Sequence, residues 1–246
     1  MNKVILMDIG FYMHRAIFSY RKTQQVPEVY TFTRMLIGDL KKLQIDLEDI
    51  IIMACDFGKS WRKSLDHSYK AQRKDLREEK ESAEWWHQRY ENFNNYIPKL
   101  EQSLSFHWVR IWGSEADDII SVACRYYKDK EIVICSSDRD LEQLAIFPNT
   151  KIWSPISKKF KDIKTPMKIL LEKIQGDISD NLLTKPSSEA EFEIRKRIVD
   201  LTQLPQEIEQ PIKEELDKLM PKNLYISKIP FNSIREEIRK LYKLNE

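Results

Sequence analysis

The sequence predicts an α/β protein with a central, mostly parallel sheet flanked by helices. Three observations carry this prediction. Short Val- and Ile-rich runs of strand length alternate with segments of helical period, an acid stands at the end of most of those runs, and no long low-complexity stretch interrupts them. Strands connected through helices run parallel, and such sheets gather ligands at the carboxyl ends of their strands.

The strand-length runs are "KVILMD" (3–8), "DIIIMACD" (49–56), "FHWVRIW" (106–112), "EIVICSSD" (131–138) and "TKIWS" (150–154). Their branched side chains suit a pleated, buried surface. Between them lie "YTFTRMLIGDLKKLQ" and "EADDIISVACRYYKD", in which apolar residues recur every three or four positions. Residues 58–100 are polar and aromatic with no strand signal, and read as an insertion. Beyond about residue 158 the chain is helical and charged, cut into short pieces by prolines at 166, 186, 205, 211, 221 and 230.

At 246 residues the chain can bury a sizeable core, and 41% hydrophobic with 11% aromatic residues excludes disorder as the default. Charged residues make up 33%, yet the net charge is only +2, so any nucleic-acid contact has to come from local patches. Cys55, Cys124 and Cys135 lie in apolar stretches without metal-binding spacing and read as reduced, buried thiols. The N-terminal "MNKVILMDIG" reads as a strand rather than a signal peptide, and no apolar run reaches membrane-spanning length. The expected location is the cytoplasm, with no membrane partner. No GxGxxG or GxxxxGK[ST] loop is present, which disfavours dinucleotide and P-loop sites.

Five acidic clusters stand out: "MDIG" with Asp8, "ACDFG" with Asp56, "SEADD" with Glu115, Asp117 and Asp118, "SSDRD" with Asp138 and Asp140, and "GDISD" with Asp177 and Asp180. Each has a structural alternative. Asp8 and Asp56 suit loop caps after a strand, Ser114 with Asp117 reads as a capping box, and "SSDRDL" reads as a helix N-cap. Asp118 and Asp180 are as readily structural as ligating. Convergence would change the balance, because two carboxylates about 4 Å apart repel by about 4 kcal/mol at an effective dielectric near 20. Bound cations relieve that conflict. An all-oxygen donor set, with none of the four histidines near the clusters, selects hard ions, Mg²⁺ or Mn²⁺. Nine carboxylates exceed what one octahedral ion uses, so two ions are expected, an arrangement suited to phosphodiester hydrolysis.

The segment Lys59–Lys74 carries six basic residues against one acid. It reads either as a solvated charged helix or as a phosphate-neutralising stretch opposite the acids. Trp85, Trp86, Tyr90 and Phe93 follow at helical spacing, fit for packing within the insertion or for stacking on bases.

In this order, "MDIG", "ACDFG", "WRKSLDHSYKAQRK", "GSEADD", "SSDRDLEQL" and "GDISDN" resemble the flap endonuclease and 5'→3' exonuclease family across roughly residues 3–183. The resemblance implies a PIN-like 5'-nuclease fold with a catalytic domain over 1–183, a helical arch at about 58–100 within it, and a helical C-terminal DNA-binding region over 184–246. It further implies two divalent metals, with Asp8, Asp56, Glu115 and Asp117 around the first and Asp138, Asp140 and Asp177 around the second. Asp118 and Asp180 match family acids as well. Lys70 and Arg73 match the arch residues that meet the scissile phosphate, and Arg62, Lys63, Lys74, Lys158 and Lys159 are further expected nucleic-acid contacts.

The implied substrates are DNA with a 5' flap, nick or 5' end, or an RNA·DNA hybrid. A single-stranded-DNA-binding protein or sliding clamp is the implied partner of a monomer. The chain departs from the family where a glycine-rich helix-hairpin-helix is usual, because no glycine follows Gly176. That departure and the ending "NLYISKIPFNSIREEIRKLY" are similar to phage-encoded members, for which the location would be the host cytosol. Two other readings are a non-catalytic relative that binds branched DNA and a PIN-type ribonuclease. Retention of the acids disfavours the first, and the basic insertion disfavours the second.

Overall fold

The computed structural model describes residues 2–219 and 224–243, apart from the side chain of Lys74. Its sheet comprises β1 (Val4–Asp8), β2 (Ile50–Ala54), β3 (His107–Val109), β4 (Ile132–Cys135), β5 (Thr150–Ser154) and β6 (Lys159–Phe160), in the order β3-β2-β1-β4-β5-β6. The first five are parallel, as the alternation of strands and helices requires. β6 adds an antiparallel edge pair to β5. Two residues in a lysine-rich stretch carry no strand pattern, so this edge was not legible in the sequence.

Ten α-helices are described: α1 (Ile9–Thr23), α2 (Glu28–Lys42), α3 (Arg62–Leu65), α4 (Arg73–Glu78), α5 (Ala83–Ser103), α6 (Ala116–Tyr126), α7 (Pro166–Gln175), α8 (Glu189–Val199), α9 (Gln206–Asp217) and α10 (Asn232–Leu241). They cover both faces of the sheet. Successive side chains of a strand point to opposite faces, so β1 sends Ile5 and Met7 into one core and Val4 and Leu6 into the other. The first core is closed by α1, α2, α5 and α10, and the second by α6 and α9.

Two of the helices beyond residue 184, α9 and α10, complete the cores of the sheet. Ile208, Ile212 and Leu216 of α9 lie in the second core, and Ile234, Ile238 and Leu241 of α10 lie in the first. Each set recurs at three- or four-residue spacing, a single apolar stripe on a charged helix. α8 packs beside α7 in a third cluster that also holds Tyr69.

The insertion divides into two parts. Its first half, through α3 and α4, stands over the carboxyl end of the sheet. Its second half, α5, lies along the body: Trp86 packs edge-on to Phe18 at 5.9 Å, and Phe93 edge-on to Phe32 at 5.3 Å. Trp86 and Phe93 are thus core residues, neither base-stacking nor packed only within the insertion. Among the described residues, no helix is long and apolar enough to cross a membrane.

Candidate active site

Strand order reverses about β1, whose neighbours β2 and β4 lead to opposite halves of the sheet, and a crevice opens there at the carboxyl ends. Asp8 ends β1 and caps α1, its Oδ1 accepting from the Phe11 amide at 3.1 Å. Its Oδ2 accepts from the Ser136 hydroxyl at 2.8 Å, and Ser136 Oγ accepts from the Asp138 amide at 3.0 Å, tying β1 to the loop after β4. Asp56, just beyond β2, accepts from the Ala116 amide at 2.7 Å, the first N–H of α6. A Cβ at Gly10 would lie 3.5 Å from Asp8 Oδ1 and 3.9 Å from Asp56 Oδ2, so both carboxylates converge on one point above that glycine.

The start of α6 is built differently from the expected Ser114–Asp117 cap. Glu115 is the N-cap, in a reciprocal capping box with Asp118, while Ser114 Oγ donates to the Ile111 carbonyl at 2.9 Å. Asp118 also receives Arg62 Nη2 at 2.7 Å, Arg62 Nη1 at 3.1 Å and Trp61 Nε1 at 3.1 Å. It is 0% exposed, its oxygens are committed to this network, and it is therefore not a metal ligand here. Arg62 is corrected with it. At 1% exposure, with Nε on the Ile198 carbonyl and Nη1 on Glu115, it is an internal counter-ion out of reach of nucleic acid.

A second group forms where the chain returns after α7. Single carboxylate oxygens of Asp140, Asp177 and Asp180 lie within 4.8 Å of one another. Lys173, not singled out from the sequence, pairs with both Asp140 and Asp177. Its position four residues before Asp177 on a helical segment is the signal that could have found it. Asp177 also accepts from the Ser179 amide at 2.8 Å.

Lys70 stands between the two groups. Its backbone is left-handed at φ 55°, its Nζ donates to Glu115 Oε1 at 2.8 Å, and it lies 3.9 Å from Asp180. Tyr69, also missed, donates its hydroxyl to Glu115 Oε2 at 2.9 Å. Arg73 is 45% exposed in its side chain and reaches Asp180 at 3.4 Å. Lys63 is half-buried and Lys159 exposed, whereas Lys158 donates to the buried Asp39 at 2.8 Å. Tyr12 and Trp153 donate to the same Asp39, and the Lys158 side chain stays 41% exposed. The side chain of Lys74 lies outside the described residues.

The electrostatics follow the crowding. Burial, reinforced by Asp138 and Asp56, pushes the Asp8 carboxyl up to about 6. Burial and then Asp138 push Asp140 up to about 7. Burial likewise raises Asp56, Asp117 and Asp180. Glu115 and Asp177 go the other way. Burial alone would raise them, but Lys70 and Arg62 hold Glu115 down, and Lys173 and Ser179 hold Asp177 down. The pocket thus takes up positive charge from protons and from its own lysines. Asp117 Oδ1 is buried without a hydrogen-bond partner, 3.9 Å from Arg62 Nη1, an acceptor that a hard cation fits.

A family model described as the 5'-3' exonuclease N-terminal, resolvase-like domain matches residues 3–174. The chain belongs to that family. Among the similar members, Ribonuclease H of Enterobacteria phage T4 is 33% identical over 140 residues, covering 54% of this chain and 45% of that protein. The 5'-3' exonuclease of Mycoplasmopsis pulmonis is 30% identical over 146 residues, covering 58% and 45%. The match therefore spans less than half the length of these curated relatives.

Among solved structures, the T5 5'-exonuclease with bound zinc superposes at a TM-score of 0.61 with 14% identity, covering 100% of both chains. A bacteriophage T5 flap endonuclease in complex with DNA and metal ions superposes at 0.59 with 18% identity, covering 98% of each. This likeness establishes the PIN-like 5'-nuclease fold expected from the motifs.

Proposed function

We propose that the chain is a divalent-metal-dependent, structure-specific 5'-nuclease, hydrolysing phosphodiesters at 5' ends or flaps of DNA or of RNA primers and leaving 5'-phosphates. The carrying observation is convergence: acids from five separated segments meet at the sheet's switch point with an ammonium, Lys70, between them. Asp8, Asp56, Glu115 and Asp117 would hold one Mg²⁺ or Mn²⁺, and Asp138, Asp140, Asp177 and Asp180 a second. Such ions supply Lewis-acid polarisation of the phosphate and of the attacking water.

The chain's own groups do the rest. Ser136 holds Asp8 and the Asp138 loop in one arrangement, and Tyr69 orients Glu115. Lys70 is placed to meet a phosphate oxygen entering between the groups and to stabilise the charge that builds there. Arg73, Lys59 and Lys63 extend that field along the strand.

The relatives' names support DNA ends, flaps or RNA as substrates. We further propose that the chain acts as a monomer in the cytoplasm, with a single-stranded-DNA-binding protein or clamp as partner. In place of a glycine-rich duplex grip, exposed Lys185 precedes α8 and exposed Arg197 stands in its last turn. The test compares labelled 5'-flap, 3'-flap, nicked duplex and RNA·DNA hybrid with Mg²⁺ or EDTA, product ends mapped. Metal-dependent cleavage at 5' ends is expected, and cleavage confined to 3' ends overturns the polarity.

A further inference from the structure

Two aromatic rings stand at the rim of the acid crevice, and neither has a part in the chemistry above. Trp112 is 71% exposed and Phe57 44% exposed. Phe57 directly follows Asp56, and Trp112 comes three residues before Glu115, so both leave the sheet beside the acids. Their rings meet edge-on at 5.4 Å.

This exposure does not come with freedom of movement. The two loops are joined by the Phe57 amide on the Ser114 carbonyl at 3.1 Å, the Gly113 amide on the Phe57 carbonyl at 2.8 Å and the Trp61 amide on the Gly113 carbonyl at 2.9 Å. Gly58 and Gly113 take φ of +80° and +84°, which favour glycine. A Cβ at Gly58 would lie 2.9 Å from both Cδ2 and Cε3 of Trp112 and 3.1 Å from Cε2. Three ring atoms at nearly equal distance place Gly58 against a face of the indole. The opposite face is left to solvent, on a ring fixed in place.

We propose that Trp112, braced by Gly58 and Phe57, is a stacking platform for an unpaired nucleobase next to the scissile phosphate. The position selects that occupant. A strand passing from the acids to the basic residues that begin at Lys59 crosses this rim, and Lys59 has no acidic partner among the described residues to compete for phosphate. A fixed π-face beside exposed cations is the arrangement that holds single strands without reading sequence. The inference rests on the nuclease reading for what happens next to the base, while binding can be measured without cleavage.

The experiment uses the full chain and duplexes with a short 5' single-stranded tail, in which the nucleotides at the junction are either normal or abasic. Anisotropy in EDTA reads binding, and Mg²⁺ turnover reads KM and kcat. Trp112→Ala is expected to weaken binding of the normal tail roughly ten-fold, raising KM more than kcat changes. On the abasic tail the wild type loses the same factor and Trp112→Ala loses no more. Trp112→Phe recovers most of the affinity, and Phe57→Ala, at an exposed site, weakens binding in the same base-dependent way. Equal losses for Trp112→Ala on normal and abasic tails, or no loss on either, overturn the platform. A wild-type chain that binds the tail in this base-dependent way but never cleaves overturns only the nuclease reading.

Discussion

The guanidinium of Arg62 donates to both oxygens of Asp118, at 2.7 Å and 3.1 Å, with neither side chain more than 1% exposed. This buried pair anchors the basic insertion to the first turn of α6 and so aims Glu115 and Asp117 into the crevice. Removing one partner leaves an uncompensated buried charge. Arg62→Met should therefore destabilise the fold by about 3–5 kcal/mol in urea denaturation. Were Arg62 a phosphate contact, stability would stay at the wild-type level and DNA affinity alone would fall.

Gly10 offers a separation of stability from metal binding. It is the second residue of α1, where alanine is tolerated at least as well as glycine. The added methyl makes only ordinary contacts, 3.5 Å and 3.9 Å, yet it points between the Asp8 and Asp56 carboxylates. Gly10→Ala should melt at or above the wild-type temperature in EDTA while losing most Mg²⁺-dependent turnover. Full turnover would move the first ion away from this point.

Lys173 pairs with both Asp140 and Asp177, where a divalent ion would otherwise sit. Lys173→Met should lower the melting temperature of the metal-free protein, because it leaves the acids unneutralised. The same change should tighten Mn²⁺ binding several-fold in calorimetry. Unchanged Mn²⁺ affinity would show that the ammonium and the ion do not compete.

On the proposed function Lys70 acts in the chemistry rather than in docking; its Nζ is held 2.8 Å from Glu115. Lys70→Ala should slow the single-turnover rate by about 10²-fold or more with substrate affinity little changed. A wild-type single-turnover rate would remove its proposed role.

Stability should depend on pH with a definite sign. Burial and neighbouring acids raise Asp8 to about 6 and Asp140 to about 7, against an ordinary value of 3.8. The folded chain then binds more protons than the unfolded chain between those values. The stability contributed is fully present below 3.8 and is lost as pH rises through about 6 to about 7. In EDTA the melting temperature should fall across this window, and Asp140→Asn should flatten the fall. Saturating Mg²⁺ should flatten it too, because cations replace the protons.

The fold was legible because its signals are local. Apolar runs such as "VILM" and "IIIM" name strands, and the intervening helical periods force them parallel. The acids at Asp8, Asp56 and Asp138 were legible for the same reason: a residue just past a strand in a parallel sheet has only one end of the sheet to occupy. The two-residue β6 has no period to read, and α5 packs on the body because Trp86 and Phe93 find Phe18 and Phe32, partners far away in sequence.

Charge alone could not sort the site. Asp117 and Asp118 are adjacent acids, yet a helix turns about 100° per residue, so Asp118 takes hydrogen bonds from Arg62 while Asp117 Oδ1 lies 3.9 Å from the same guanidinium with no hydrogen bond. Arg62 and Lys63 are adjacent cations parted by the same rotation, one enclosed and the other half-exposed. The order of residues dictated the sheet, its switch point and the set of carboxylates delivered there. Which acids ligate, which cations are counter-ions and which aromatics stay at the rim depended on long-range contacts. Those contacts decide whether a charge meets water, a partner or another charge, and no local pattern encodes that difference.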